Sequence, residues 1–405
     1  MMTKNRDVLI SGASVAGPTL AYWLARYGFR PVVVERAPEP REGGYPIDVR
    51  GRAVEVARRM GVLPALREAG VEMSELTFVD AAGRRAGHVD AQALRRAIPT
   101  DDLELPRGDL VKILHDATRD DVEYVFDDSI TTMEQDDDGV TVAFERGETR
   151  RFDLVIGADG LHSIVRRLAF GEESRFVHHL GYYVAAADVS RDYGTGDQVV
   201  LYNAPGKMAG VYSYLDRATA IFVFRAPNVG GHDHRDISAQ KRLLAEAFGD
   251  RAWRVPELLA QVSAAPDFYF DSVSQIRMAP WSRGRVSLAG DAAHCPALLS
   301  GHGTTLAMAG AYVLAGELHA AGGDHRRAFA RYEDEHRAAV DEGLRKAGRG
   351  AAQLVPGSGP AIWARNQLSH LWVVPAAAGG LLRRLPRRTS ALKDYGDTAL
   401  AGRAG

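Results

Sequence analysis

Asp7 to Ser11 form an apolar run that ends on Gly12-Ala13-Ser14-Val15-Ala16-Gly17. An amphipathic stretch follows through Tyr27, and Arg30 to Val34 then delivers Glu35-Arg36. A short apolar run bounded by turn residues is the pattern of a strand buried on both faces. The whole order is strand, glycine turn, helix, strand, acid, which is the dinucleotide-binding fingerprint. Gly12 makes the tight turn. Gly17, close to Ala16 at the helix start, permits near contact between helix and strand. Glu35, eighteen residues after Gly17, is placed to bind the hydroxyls of an adenosine ribose, with Arg36 beside it. Ser14 departs from the pattern, standing where a middle glycine is usual. Its small side chain keeps the site open and adds a hydroxyl able to bond a phosphate.

Two further strand ends carry acids. Phe152 to Gly157 is an apolar run that hands Asp159-Gly160 to a turn, with Ser163-Ile164-Val165-Arg166 after it. Arg285 to Ala289 leads to Gly290-Asp291-Ala292-Ala293-His294-Cys295-Pro296 and on to Gly301-His302-Gly303-Thr304-Thr305. A small-residue helix from Thr305 to Leu318 leaves that stretch. The free N–H groups at such a helix start, and the helix dipole, favour a negative ligand. Asp291 can accept from a sugar-like hydroxyl.

The fingerprint, the D-G-x-x-S-x-V-R segment and the Gly290-Asp291 stretch, in this order, resemble the motifs of class A FAD-dependent aromatic monooxygenases, the family of p-hydroxybenzoate hydroxylase. The resemblance spans most of residues 7–320. It implies that Asp291 holds the ribityl chain and that the loop from Pro296 through Gly301, Gly303, Thr304 and Thr305 faces the flavin. Asp159 falls at the junction between FAD and reduced nicotinamide. Arg107, at the start of a helix through Ala117, matches a family arginine near the ribityl and pyrophosphate, and an arginine fork suits a diphosphate. The loop Gly43 to Gly51 resembles the segment lying along the flavin ring in tetracycline-inactivating members, which makes Asp48 and Arg50 candidates for the active site.

The implied fold is α/β: a Rossmann-like FAD-binding domain, a second, mainly antiparallel β-sheet domain for substrate, and a C-terminal helical segment. The expected boundaries are 1–70, 98–175 and 281–345 for the first, 71–97 and 176–280 for the second, and 346–405 for the third. Strands are expected at 122–126 and 140–144 around an acidic turn, and from Tyr182, Gln198, Gly210, Thr219 and Phe268 onward. On that sheet Tyr182, Tyr212, Tyr214, Phe222 and Phe224 could form an aromatic wall, with Arg225 holding a phenolate or enolate. Arg225, Asp48 and Tyr212 are thus the candidate catalytic residues.

The implied reaction uses NADPH or NADH as transient electron donor and O2 as co-substrate. One oxygen atom passes from a flavin C4a-hydroperoxide to an aromatic or polyketide-like substrate. The alternative is a flavin-dependent reductase or dehydrogenase without oxygen transfer. A second glycine fingerprint and a redox cysteine pair are absent, which argues against the disulfide reductases with two dinucleotide domains. The tryptophans, at 23, 253, 281, 363 and 372, are never two apart, so the Trp-x-Trp-x-Ile-Pro signature of flavin halogenases is missing.

Composition adds limits. A net charge of −2 gives no argument for nucleic acid. The single cysteine, Cys295, excludes an internal disulfide and fits a reducing, cytoplasmic setting. A signal segment and a spanning helix are not expected, although Ser369 to Leu382 is apolar and residues 383–388 are basic. Packing of a C-terminal helix is expected there rather than stable membrane association. His294 and His302 are expected to be loop residues rather than metal ligands, and the protein to be a monomer or homodimer.

Overall fold

The computed structural model describes residues 5–40, 46–93, 100–190, 196–227, 236–249, 252–371 and 391–396. Gly43 to Tyr45 and the basic 383–388 run lie outside the described residues. Six strands form one sheet, in the order Ser282–Arg283, Val286–Leu288, Leu154–Gly157, Asp7–Ser11, Arg30–Glu35 and Glu123–Phe126. Every pairing in it is parallel except the short Ser282–Arg283 edge. Val8, Leu9 and Ile10 are fully buried, as expected for a strand covered on both faces. Register brings Ser11 opposite both Gly157 and Val34, and Gly157 opposite Leu288. The residues that follow these strand ends therefore emerge at one edge of the sheet.

A seven-stranded sheet holds Phe268–Ile276, Val177–Val189, Arg217–Arg225, Lys207–Tyr214, Gln198–Ala204, Glu75–Val79 and Arg85–Asp90 in spatial order. It is antiparallel apart from the parallel pairing of Gln198–Ala204 with Glu75–Val79. One face packs Phe222, Phe224, Tyr183 and Phe270 against the helices Ile237–Ala247 and Val255–Ala264. The other face packs Val184, Leu201, Met208 and Val223 against Ala297 and against Ala347, Ala351 and Val355. Tyr182 and Tyr212 belong to this second face.

Two smaller sheets were not expected. Pro46–Val49, read as loop, is a strand paired with Leu103–Pro106. Ile130–Gln135 pairs with Val140–Phe144, which also pairs with Arg150–Phe152. Glu123–Phe126 leaves that hairpin and joins the parallel sheet instead. The Ile130–Gln135 strand is mostly exposed and carries Thr131, Thr132 and Glu134, so no apolar alternation announces it.

Helix Gly303–Ala320 is buried over most of its length and packs against Ala16–Arg26, Arg52–Met60 and His325–Leu354. Residues 391–396 lie along it: the Tyr312 hydroxyl and Arg59 donate to the Lys393 carbonyl, and Tyr395 donates to buried Glu317. A Cβ on Gly316 would stand 2.2 Å from the Tyr395 ring. Helix Gly359–Leu371 covers the far edge of the large sheet, where the Arg365 guanidinium lies 3.9 Å from the Phe78 ring centroid.

Behind Gly290 sits a buried aromatic cluster. The His294 and His336 rings are 5.1 Å apart, beside Trp281 and Tyr332. Burial drives both imidazoles towards neutrality, His336 to a pKa of about 3, and each is further depressed by a cationic neighbour. An unfolded histidine titrates near 6.5. Above that pH neither state gains a proton, so stability is at its full value. As pH falls from 6.5 towards 3, the unfolded chain takes protons that the folded chain refuses. Stability then drops by about 1.4 kcal/mol per pH unit for His336, and His294 adds to the loss in the same direction. Urea midpoints at pH 7, 6 and 5 check this: His336→Leu is expected to show the shallower acid slope, and an unchanged slope refutes the assignment.

Candidate functional site

The shared edge of the parallel sheet gathers residues that lie far apart in sequence. Gly12 has φ +107°, and a Cβ there would stand 2.5 Å from the Ala158 carbonyl oxygen. The chain can turn over the neighbouring strand only because this residue has no side chain. A Cβ on Gly17 would lie 1.9 Å from the Gly12 carbonyl oxygen. Glu35 sits at the turn, accepting from Ala13 N at 2.8 Å and Ala37 N at 3.0 Å. Its two oxygens offer about four lone-pair sites, so capacity for ribose hydroxyls remains. Arg36 is exposed at the rim and Ala16 is buried.

Ser14 and Arg107 meet, with Arg107 Nη2 donating to Ser14 Oγ at 3.0 Å. Arg107 opens the helix Arg107–Asp116. Its charge also opposes the upward shift that burial imposes on the Asp291 carboxyl. Asp291 begins the short turn Asp291–His294, after Gly290 at φ +59°. Pro296 is buried, and its carbonyl accepts from Gln275. The next residue, Ala297, holds φ +82°, a left-handed conformation that a residue with a Cβ rarely adopts.

The Gly303–Ala320 helix starts at His302 without a side-chain cap, leaving the N–H groups of Gly303, Thr304 and Thr305 at its open end. Asp48 stands against this start: a Cβ on Gly301 would be 3.4 Å from Asp48 Oδ2 and 3.5 Å from Arg50 Nη1. Thr305 Oγ1 donates to the Arg50 carbonyl at 3.2 Å. Asp48 pairs with Arg50 at 2.6 Å, yet burial outweighs that pairing and raises its pKa.

Asp159 is a helix cap. Its Oδ2 accepts from Ile164 N at 2.8 Å and Val165 N at 3.1 Å, while Ser163 Oγ donates to Oδ1. Burial raises its pKa against these bonds. Arg166, fully buried, ties this segment to the next: it donates to the Ala292 carbonyl at 3.0 Å, the Leu161 carbonyl, and Glu173 at 3.0 Å. His162 bridges outward, with Nδ1 2.9 Å from Glu173 and Nε2 3.2 Å from Asp271 on the large sheet. Burial works to depress it, but the two carboxylates prevail and hold its pKa near 9.

The candidate catalytic residues separate. Tyr212 donates to Glu104, which lies directly across the small sheet from Asp48. Tyr212, Glu104, Asp48 and Gly301 therefore share one neighbourhood. Arg225 does not join it. Tyr212 pairs with Thr219, and Arg225 lies six residues further along that strand, about 20 Å at 3.3 Å per residue. Arg225 donates to the Tyr182 hydroxyl at 3.0 Å and borders Gly357. Phe222 and Phe224 face the opposite side of the sheet and pack under helices, so the aromatic wall reduces to Tyr212 and its neighbour Tyr214, whose rings are 6.0 Å apart. Strand alternation makes the split unavoidable, because positions 222 and 224 oppose 221, 223 and 225. Glu104 and His162 were not singled out by the sequence; a lone acid on a short strand and a histidine inside a turn carry no local signal.

The fit to a flavin dinucleotide rests on this geometry: a turn that a Cβ would block, an arginine over a serine hydroxyl, acids at three strand ends and an uncapped helix start. Residues 5–347 match the model of the family described as FAD binding domain. A flavin-dependent monooxygenase of Legionella longbeachae is 40% identical over 342 residues, covering 84% of this chain and 87% of that protein. A Mycobacterium tuberculosis protein of uncharacterised function is 45% identical over 342 residues, covering 83% of this chain and 91% of the relative. The crystal structure of the tetracycline destructase Tet(55) superimposes with a TM-score of 0.80 at 36% identity, covering 94% of this chain and 98% of that one. The chain belongs to the FAD-binding-domain family and is an FAD-dependent monooxygenase.

Proposed function

We propose that the protein uses NADPH or NADH and O2 to hydroxylate a phenolic or polyketide-like polycyclic aromatic, as in antibiotic tailoring or inactivation. The observation that carries this reading is the meeting of the Gly301–Thr305 helix start with Asp48 and, through Glu104, with Tyr212 of the large sheet. A flavin laid on that helix start would have the apolar sheet face before it. The likeness to a tetracycline destructase supports a large planar substrate.

In this reading the Gly12–Gly17 turn, Ser14 and Arg107 hold the diphosphate, and Glu35 with Arg36 the adenosine. Asp291 takes the ribityl hydroxyls, and Pro296, Gly301, Gly303, Thr304 and Thr305 border the ring. When bound, FAD supplies the redox and oxygen chemistry. The chain's own part is to bind and orient. The N–H groups of Gly303 to Thr305 stabilise negative charge at the helix start. The large sheet and the Leu298–Leu299 segment, packed on it, keep water from the reacting face. Asp159 and Arg166 fix the turn at which the nicotinamide is expected.

Isotopically labelled O2 with a tetracycline-type substrate tests the reading. One labelled atom in the product supports it. Substrate-stimulated NAD(P)H oxidation with no label in any product places the chain among the reductases instead. Asp291→Ala and Glu35→Ala are each expected to weaken FAD retention by about 1–3 kcal/mol, since each leaves a hydrogen-bonding partner unpaired. Flavin content after gel filtration measures this, and wild-type content in both variants removes these residues from the cofactor site.

A further inference from the structure

We propose that the protein carries a second small-molecule site, for a hydroxyl-bearing phosphate such as a sugar or glycerol phosphate, at the edge of the parallel sheet opposite the flavin motifs. Gly12, Asp159 and Asp291 follow the strands Asp7–Ser11, Leu154–Gly157 and Val286–Leu288, whereas Asn5, Asp153 and Arg285 precede the same three strands. The Asp7–Ser11 strand sets the two edges about 16 Å apart at 3.3 Å per residue. A cavity of about 390 Å³ opens at the second edge, and its lining side chains are Gln135, Asp136, Asp137, Arg285, His325 and Arg326. That volume falls within the range of small-molecule pockets.

Two of these side chains are more than nine-tenths buried, Arg285 at 9% exposure and His325 at 8%. The bonds of the Arg285 guanidinium go to neutral oxygens: Nε and Nη2 donate to the Asp137 carbonyl, and Nη1 donates to Asn5 Oδ1 at 2.9 Å and to the Asp153 carbonyl at 3.1 Å. Among the described residues no carboxylate pairs with it. A buried cation without a counter-charge is costly, so an anion that reaches it is favoured. Asn5 in turn fixes the histidine. Its Oδ1 faces Arg285, so its amide nitrogen faces the Gly323 carbonyl at 2.8 Å and His325 Nδ1 at 3.3 Å. An amide nitrogen only donates, which makes Nδ1 the acceptor. Burial, together with the Arg285 and Arg326 cations and against Asp324, lowers the His325 pKa and keeps the ring neutral. The single ring proton therefore sits on Nε2, where no described residue takes it.

The donors left over suit phosphate. The Arg285 fork is spent on carbonyls, so it cannot grip a carboxylate with two parallel bonds. One Nη2 hydrogen, the His325 Nε2 hydrogen and the exposed Arg326 guanidinium remain, on separate side chains that match tetrahedral oxygens. The first amides of the His325–Leu354 helix are capped by Asp324, so the site rests on side chains and not on the helix end. At the rim, Asp136 is tied to Arg151 at 2.7 Å, and the exposed Asp137 carboxylate pairs with no described cation. An acceptor there repels a second anionic group and takes a hydroxyl.

Isothermal titration calorimetry of the flavin-loaded protein, in a chloride buffer, tests this with glycerol phosphate, inorganic phosphate and glycerol. Loaded protein keeps the probes out of the cofactor site. Glycerol phosphate is expected to bind with a submillimolar Kd, inorganic phosphate about tenfold more weakly, and glycerol not detectably. His325→Phe keeps a ring and removes the Nε2 donor, and Arg326→Gln removes an exposed charge. Each is expected to weaken glycerol phosphate by about tenfold while flavin content stays at the wild-type level. Wild-type protein that binds neither phosphate, glycerol that binds as tightly as its phosphate, or wild-type affinity in either variant overturns the site. Equal affinity for the two phosphates overturns the hydroxyl-bearing class.

Discussion

Gly17→Ala is expected to purify colourless, with at least tenfold less FAD per chain than wild type. The added methyl would stand 1.9 Å from the Gly12 carbonyl oxygen, a backbone atom that cannot rotate away. Relief requires the Ala16–Arg26 helix to move off the Asp7–Ser11 strand, or the turn at Gly12 to open. Either motion shifts Ser14 and Ala13, and with Ala13 the bond to Glu35. Overpacking of this kind costs about 1–3 kcal/mol even where side chains can adjust. Here the cost falls on the turn proposed to admit the diphosphate. Gly359→Ala is the control, since a Cβ there meets nothing within 4 Å. The ratio of flavin to protein absorbance measures the outcome, and normal yellow Gly17→Ala protein refutes the close contact.

Arg166→Ala is expected to be the most destabilising of the motif substitutions, by about 2–4 kcal/mol, because a fully buried guanidinium that bonds two carbonyls and Glu173 is lost at once. Its guanidinium is wholly buried, and burial lowers its pKa while Glu173 and Asp159 work to keep it charged. Removing it strands the carbonyls of Ala292 and Leu161 and takes a cation from Glu173. Urea unfolding gives the loss directly. Adding Glu173→Gln to Arg166→Ala is expected to cost less than the sum of the two single changes, because the two side chains share one hydrogen-bonded pair. A single variant within 1 kcal/mol of wild type, on the order of an ordinary surface change, would contradict this account.

The sequence was most legible where the chemistry is local. Gly12, Asp159 and Asp291 announce themselves because each sits at the end of an apolar run, and parallel pairing then carries all three strand ends to one edge. The large sheet was legible as alternating strands, but its sidedness was not. Phe222 and Phe224 differ from Ile221 and Val223 only in parity, and nothing local says which parity meets the Ile237–Ala247 helix. Arg225 suffered the same ambiguity along the strand rather than across it. Glu104 was hidden for another reason: its meaning comes from pairing with Asp48 and Tyr212, over fifty and over a hundred residues distant. Contacts of that range leave no trace in a window of neighbouring residues.

The Lys393–Tyr395 segment has a consequence for how the protein comes into being. Leu288 completes the parallel sheet, and Tyr395 closes over the Gly303–Ala320 helix. A ribosome that has made the fingerprint has made only part of the parallel sheet, without the strand beside Gly157 and without the strap against Gly316. The sheet edge that gathers Gly12, Asp159 and Asp291 is thus complete only once Leu288 and the residues after it have emerged. A nascent chain stalled earlier would show proteases and chaperones an open sheet edge rather than a half-loaded enzyme. Flavin supply during growth would then govern how much finished protein is active, and not how fast it is made.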